Sequence, residues 1–112
     1  MTHIRLALAW SAFVLLLCTI PGDTFVTPDF QLIAVDKLAH LVLFLGIGLL
    51  WTRAVPKHAA LVFVCGVAFG IGIEVLQGLL PIGRAPELAD ALADVVGLTL
   101  GIGAGRLRLG AE

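Results

Sequence analysis

The sequence predicts an all-α fold: a polytopic membrane protein built as a four-transmembrane-helix bundle with both termini cytoplasmic. Three observations predict it. The residues are 60% hydrophobic and 13% charged, and the mean hydropathy of +1.09 lies well outside the range of a soluble domain. Apolar runs recur four times, on the scale of the about 20 residues that cross a hydrocarbon core roughly 30 Å thick. Lysines and arginines collect on alternate sides of those runs, as they do in membrane proteins of fixed orientation. A chain of 112 residues holding four spans has room for short connections only. A soluble catalytic domain is excluded, and residues 1–112 read as one membrane domain.

The first run covers residues 4–20 and is closed by Pro21 and Gly22, a strong turn signal. His3 and Arg5 ahead of "LALAWSAFVLLLC" suggest a signal peptide, but no small-x-small cleavage site follows, so the run is read as a span. The linker "GDTFVTPDFQLIAVD" carries Asp23, Asp29 and Asp36 and has an amphipathic middle suited to the interface. The second span covers residues 37–54, followed by a polar hairpin at Arg53, Pro56, Lys57 and His58. The third covers 59–80 and stops at Pro81, and "PIGRAPE" makes the next turn. The fourth covers 88–106 and ends among Arg106 and Arg108. Cys18 and Cys65 each sit in an apolar run, where a thiol behaves as a small hydrophobe, and a disulfide is not expected.

Orientation follows from charge. One side collects Arg5, Arg53, Lys57, Arg106 and Arg108 against Glu112; the other collects Lys37 and Arg84 against the seven remaining acids. Cytoplasmic loops hold the excess of lysine and arginine, so both termini face inward and the acidic side faces outward. Trp10 and Trp51 read as aromatic-belt residues near the inner ends of spans. Phe44, Phe63 and Phe69 read as packing or lipid contacts, and His3 and His58 as inner-surface residues.

The polar groups inside the spans fall at one depth. At about 1.5 Å per residue, Glu74 and Gln77 lie roughly 10 and 6 Å below the outer end of the third span, Asp94 roughly 9 Å below the start of the fourth, and His40 roughly 5 Å below the start of the second. Lys37 and His40, Glu74 and Gln77, and Asp90 and Asp94 each share a helix face by their spacing of three or four. Gly66 and Gly70 in the third span, and Gly97, Gly101 and Gly105 in the fourth, repeat every four residues, the small-xxx-small pattern of close helix packing. Asp90 and Asp94 continue the glycine row of the fourth span and therefore point toward protein.

Plainer readings stand beside these. Lys37 and Arg84 suit interfacial anchoring with snorkelling stems, Asp36, Glu87 and Asp90 suit solvated helix starts, and Asp23 and Asp29 suit plain loops. His40 suits a hydrogen-bonding strut. Glu74 and Asp94 are harder to dismiss, because a carboxylate within a span costs about 2.5–3.5 kcal/mol on insertion scales and needs a partner, a cavity or a ligand. A buried network of Glu74, Gln77, Arg84 and Asp94 that pins helices together meets that need as well as a binding site does.

The order "DKLAH" entering the second span, "EVLQ" near the end of the third, "GR" followed by an acid, then an aspartate heading a glycine-rich helix, resembles the VanZ-like family of small bacterial membrane proteins. The resemblance covers about residues 36–105. It places the family's motif on Lys37, His40, Glu74, Gln77, Arg84, Asp90, Gly97 and Gly101. Where the family commonly has asparagine four residues after the aspartate, this chain has Asp94. The family's founding member is associated with low-level resistance to teicoplanin, a lipid-tailed glycopeptide, and no accepted biochemical activity accompanies the name, so the resemblance implies a location and a phenotype class more than a reaction.

The function expected is a VanZ-like integral protein of the bacterial cytoplasmic membrane with an outer-leaflet polar site made by Lys37, His40, Glu74, Gln77, Arg84, Asp90 and Asp94. That site would bind or modulate a lipid-linked cell-envelope component or a lipoglycopeptide antibiotic. Arg84 and Lys37 suit phosphate or carboxylate, and the carboxylates and Gln77 suit cationic, hydroxyl or amide groups. The alternative is an intramembrane hydrolase or transferase acting on a lipid-linked substrate, with His40 as base or with His40, Glu74, Asp90 and Asp94 around a divalent cation. No standard catalytic signature supports it, and no resident cofactor or metal is expected. Transport ranks behind both, since the inner halves of the spans carry no ionisable residue for a relay. Membrane lipids are the expected partners, with a lipid-linked cell-wall precursor or lipoglycopeptide as ligand and no nucleic acid. The glycine rows also suit an oligomer or a membrane-protein partner.

Overall fold

A computed structural model of the chain describes residues 2–19, 30–80 and 88–111, with side chains in 2–19, 37–80 and 88–108. Four helices follow in order: α1 (Thr2–Cys18), α2 (Phe30–Ala54), α3 (Ala59–Leu79) and α4 (Leu88–Ala111). Three are long and apolar enough to cross a membrane, over Lys37–Ala54, Ala59–Leu79 and Leu88–Arg108, and Thr2–Cys18 is a shorter apolar helix. At about 1.5 Å per residue α1 is roughly 25 Å long, a few ångströms less than the hydrocarbon core.

Helix ends follow from local chemistry, and two of them differ from the sequence expectation. Thr19 closes α1: its amide and hydroxyl both reach the Leu15 and Leu16 carbonyls, at 3.0–3.2 Å, and satisfy acceptors that the helix end would leave open. Residues 30–36, expected to lie in an interfacial linker, are instead helical, so α2 begins at Phe30 rather than near Lys37. No glycine or proline interrupts the chain between Phe30 and Lys37, and the acid at Asp36 is no obstacle to a helix. The α2–α3 connection is the short hairpin expected, with Pro56 barring continuation of α2. Leu80, just before Pro81, is extended at φ −81° and ψ 144°, as a following proline requires, and its amide reaches the Leu76 carbonyl at 2.9 Å. α4 runs past residue 106 to Ala111, so Arg106 and Arg108 lie on the helix itself, where cations favour the negative end of its dipole.

Contact registers give the topology. Along α4, Gly97, Gly101 and Gly105 meet the backbone of α2 at Leu41, Leu45 and Leu49, so these two helices run parallel. Gly66 and Gly70 of α3 meet Leu98 and Asp94 of α4, so that pair runs antiparallel. Cys18 of α1 meets Gln77 of α3, placing the C-terminal ends of both at one end of the bundle. This is an up-down-up-down arrangement. Arg5, Arg53, Lys57, Arg106 and Arg108 consequently gather at the end opposite Gln77. The long dimension of 45 Å matches a bilayer with its headgroup regions, about 40–45 Å.

α2 and α4 make the closest contact because glycine removes the side chains between them. A Cβ on Gly97 or Gly101 would collide with the Leu41 or Leu45 carbonyl, and one on Gly48 with the Leu98 carbonyl. The rows expected from sequence thus serve packing within this chain; Gly48 joins them from α2, and Gly46 makes room for the Trp10 ring. Trp10 is not a belt residue. It lies midway along α1 and donates from Nε1 to the Leu43 carbonyl at 2.9 Å, while Trp51 donates to Ser11 Oγ at 2.9 Å. Phe44 is wholly buried and packs against Phe69, their ring centroids 6.1 Å apart, with Val14, Cys18, Ile47, Ile73 and Leu98 around them. Outward faces carry Leu61, Val64, Ile71, Val75, Leu92 and Leu100, all exposed. An apolar exterior around a partly polar interior is what a lipid solvent selects.

Candidate functional site

The inward stripe of α3 is Val62, Gly66, Gly70, Ile73, Glu74 and Gln77, and that of α4 is Asp90, Asp94, Gly97, Leu98 and Gly101, both at helical spacing. Each stripe is apolar or glycine toward the Arg53 end and polar toward the other. α2 follows the same pattern apart from the buried Thr52, with Phe44 and Ile47 giving way to His40 and Lys37. Antiparallel packing of α3 against α2 and α4 then stacks the polar stretches beside one another in a single layer.

Within that layer His40 Nδ1 stands 2.8 Å from Asp94 Oδ1, both residues almost completely buried at 3% and 2% exposure. Nδ1 donates to this oxygen in the tautomer that carries the ring proton there, since a carboxylate oxygen accepts. Nε2 of the same ring faces Asp90 Oδ2 at 3.8 Å, too long for a direct hydrogen bond. The other oxygen, Asp90 Oδ1, pairs with Lys37 Nζ at 2.6 Å, an ion pair that lacks hydrogen-bond geometry. Lys37 keeps a quarter of its side chain exposed while Asp90 is buried, so the ammonium sits at the rim and its carboxylate partner inside. Glu74, 7% exposed, enters from α3, and donor atoms of His40, Glu74 and Asp94 lie within 4.8 Å of one another.

Backbone packing makes the layer possible. Gly70 stands opposite Asp94: a Cβ there would come 3.3 Å from Oδ2 and 3.3 Å from the Phe44 ring. The glycine clears space for the carboxylate, and Phe44 closes the layer on the side of the apolar core. Gln77 has a different task. Its Nε2 donates to the Cys18 carbonyl at 2.8 Å, satisfying one of the acceptors that the end of α1 leaves without an intrahelical donor. It ties α1 to α3 beside the polar layer.

The structure therefore brings together Lys37, His40, Glu74, Asp90 and Asp94, with Gln77 adjacent and turned to α1. Arg84 and Glu87 lie outside the described residues, as does the side chain of Asp36. Sequence reasoning missed the Lys37–Asp90 ion pair, because depth and helix face do not reveal which of several acids a lysine meets. It also missed Cys18 as the acceptor for Gln77; a backbone carbonyl at a helix end is invisible to residue type. An open apolar groove of about 330 Å³ between α1 and α2, lined by Leu6, Ala9, Trp10, Phe13 and Leu50, shares none of these groups.

Comparison with family models matches residues 3–109 to the one described as VanZ/LLP1. The match takes in α1 and most of α4, beyond the residues 36–105 whose motifs carry the resemblance. Neither the curated proteins nor the solved structures gave a match.

Proposed function

The chain belongs to the VanZ/LLP1 family, and from that premise we propose that it is a multi-pass protein of the bacterial cytoplasmic membrane whose outer-leaflet polar layer binds the headgroup of a lipid-linked cell-envelope component or lipid-tailed glycopeptide. All four helices cross the membrane in this reading, with both termini cytoplasmic. The gathering of five of the seven lysines and arginines at one end of the bundle supports that orientation. The tie from Gln77 to the end of α1 supports a crossing by the short first helix, since it holds Cys18 at the level of α3's outer turn.

One observation carries the binding reading: three carboxylates, a histidine and a lysine from three helices share a buried layer just inside one end of an otherwise apolar bundle. Each ionisable group within a span costs a few kcal/mol to insert, and the glycine rows bring α2 and α4 into backbone contact at positions the polar groups do not occupy. Lys37 at the rim suits a phosphate or carboxylate entering from the interface, and the residue type of Arg84, between α3 and α4 in sequence, suits a second, bidentate contact. His40, Glu74 and Asp94 deeper in suit the hydroxyl, amide or cationic part of the same headgroup.

Protein in lipid nanodiscs, offered a polyprenyl phosphate, a lipid-linked peptidoglycan precursor or teicoplanin, tests this directly. Saturable binding of at least one probe, weakened at least about tenfold (about 1.4 kcal/mol) by both Arg84→Ala and Glu74→Gln with helicity kept, is the expected result. Unaltered binding in both variants sinks it, and release of a cleaved product by the wild type replaces binding with the hydrolase or transferase reading.

A further inference from the structure

We infer that His40, Glu74 and Asp94 form a site for a divalent first-row transition ion of the Mn²⁺ or Zn²⁺ kind, with Asp90 orienting the histidine from behind. The donor set comes first. One imidazole nitrogen and two carboxylates, each from a different helix and each more than nine-tenths buried, present ligand atoms within 4.8 Å of one another. An ion with bonds of about 2.0–2.2 Å holds neighbouring ligands roughly 3 Å apart, and His40 Nδ1 and Asp94 Oδ1 already stand at 2.8 Å. Glu74 offers its carboxylate from α3 within 4.8 Å of both. The mixed donors suit Mn²⁺ or Zn²⁺; Mg²⁺ and Ca²⁺ prefer oxygen alone.

The surroundings fit the same reading. A metal would take the Nδ1 lone pair, which leaves the ring proton on Nε2, the nitrogen that faces Asp90 Oδ2 at 3.8 Å. A carboxylate behind the second nitrogen of a ligating histidine is the usual outer partner of such a ligand, and it fixes the tautomer and the ring. Asp90 is itself held by Lys37 at 2.6 Å, so the chain of contacts runs from Lys37 through Asp90 and His40 to the ion. The absence of a side chain at Gly70, whose Cβ would come 3.3 Å from Asp94 Oδ2, leaves that carboxylate room to turn. With three protein ligands the ion keeps open positions for oxygens of a headgroup phosphate; this last point rests on the binding reading above, and the ion site itself does not.

The test is a metal titration of chelator-stripped protein in detergent without added lipid, with Mn²⁺ followed by electron paramagnetic resonance and Zn²⁺ by competition with a chromophoric chelator. One ion per chain is expected, with Mg²⁺ and Ca²⁺ competing weakly. Glu74→Gln and Asp94→Asn each weaken binding at least tenfold, Asp90→Asn weakens it by roughly 10- to 100-fold, and Arg108→Gln leaves it unchanged. The wild-type Mn²⁺ signal shows coupling to one histidine nitrogen, a readout that needs no variant to fold. Absence of saturable Mn²⁺ or Zn²⁺ binding up to 100-fold molar excess, absence of that nitrogen coupling, or wild-type affinity kept in Glu74→Gln and Asp94→Asn overturns the inference. Failure of the lipid probes to bind, with the ion bound, counts against the headgroup reading alone.

Discussion

Replacing Gly101 with alanine tests whether glycine packing of α4 against α2 sets the geometry of the polar layer. A Cβ at Gly101 would collide with the Leu45 carbonyl oxygen and lie 2.9 Å from both the Leu45 carbonyl carbon and the Leu49 nitrogen, all backbone atoms that no rotamer can move. Carbon–oxygen contacts between helices normally begin at about 3.3 Å, so the helices must part by on the order of 1 Å. Overpacking of this kind costs about 1–3 kcal/mol, and alanine recovers up to about 1 kcal/mol through its better helix propensity. Against glycine-to-alanine controls that share this gain, the loss is about 1–3 kcal/mol, or roughly 5- to 160-fold in the ratio of folded to unfolded protein. The same parting stretches the 2.8 Å contact between His40 and Asp94, which bridges these two helices, beyond hydrogen-bonding range. Gly103→Ala and Gly72→Ala are the controls, because nothing lies within 4 Å of a Cβ at either position. Denaturant unfolding in detergent micelles, followed by helicity, should rank Gly101→Ala well below both controls, and the controls at or slightly above wild type. Equal stability of Gly101→Ala and Gly103→Ala would refute the packing argument.

Further outcomes follow from the contacts around the layer. Lys37→Gln strands the buried Asp90 carboxylate and should cost between the about 1 kcal/mol of an exposed pair and the about 3–5 kcal/mol of a buried one, with most of the loss recovered in the Lys37→Gln/Asp90→Asn double variant; additive losses would contradict the pair. Gln77→Leu leaves the Cys18 carbonyl without its donor, so in a Cys65→Ser background the buried Cys18 thiol should react with a maleimide faster than in the parent, and unchanged labelling would detach Gln77 from α1. Trp10→Phe removes the bond to the Leu43 carbonyl and should destabilise by about 0.5–1.5 kcal/mol in the same unfolding assay, whereas a belt residue would respond to bilayer thickness and hardly to this change.

The polar layer was largely legible in the sequence for a physical reason. Acids such as Glu74 and Asp94 inside apolar runs are costly, so they stand out, and helical periodicity assigns each to a face. Depth from the span ends then aligns His40 with them. Partners within the layer were not legible, since Lys37 reaches Asp90 through the rotation and stagger of α2 against α4, which residue spacing does not encode. The glycine rows of α3 and α4 could be read because they repeat every four residues, whereas Gly46 and Gly48 repeat at two and match no packing pattern. Trp10 was assigned by composition to an interface, but its indole N–H found the Leu43 carbonyl in mid-helix, where Gly46 opens the space. Residues 30–36 looked like a linker because Asp29 and Asp36 interrupt the hydropathy, although nothing in their backbone chemistry opposes a helix.

The most direct test of a headgroup site is to hold the lipid tail constant and change only its polar end. Wild-type protein in nanodiscs is titrated with a polyprenyl phosphate and with the matching free polyprenol, and the two affinities are compared. A layer built from Lys37, His40, Glu74, Asp90 and Asp94 predicts at least tenfold preference for the phosphate, about 1.4 kcal/mol, erased by Lys37→Gln together with Arg84→Ala. Equal affinity for the two lipids in the wild type would contradict it.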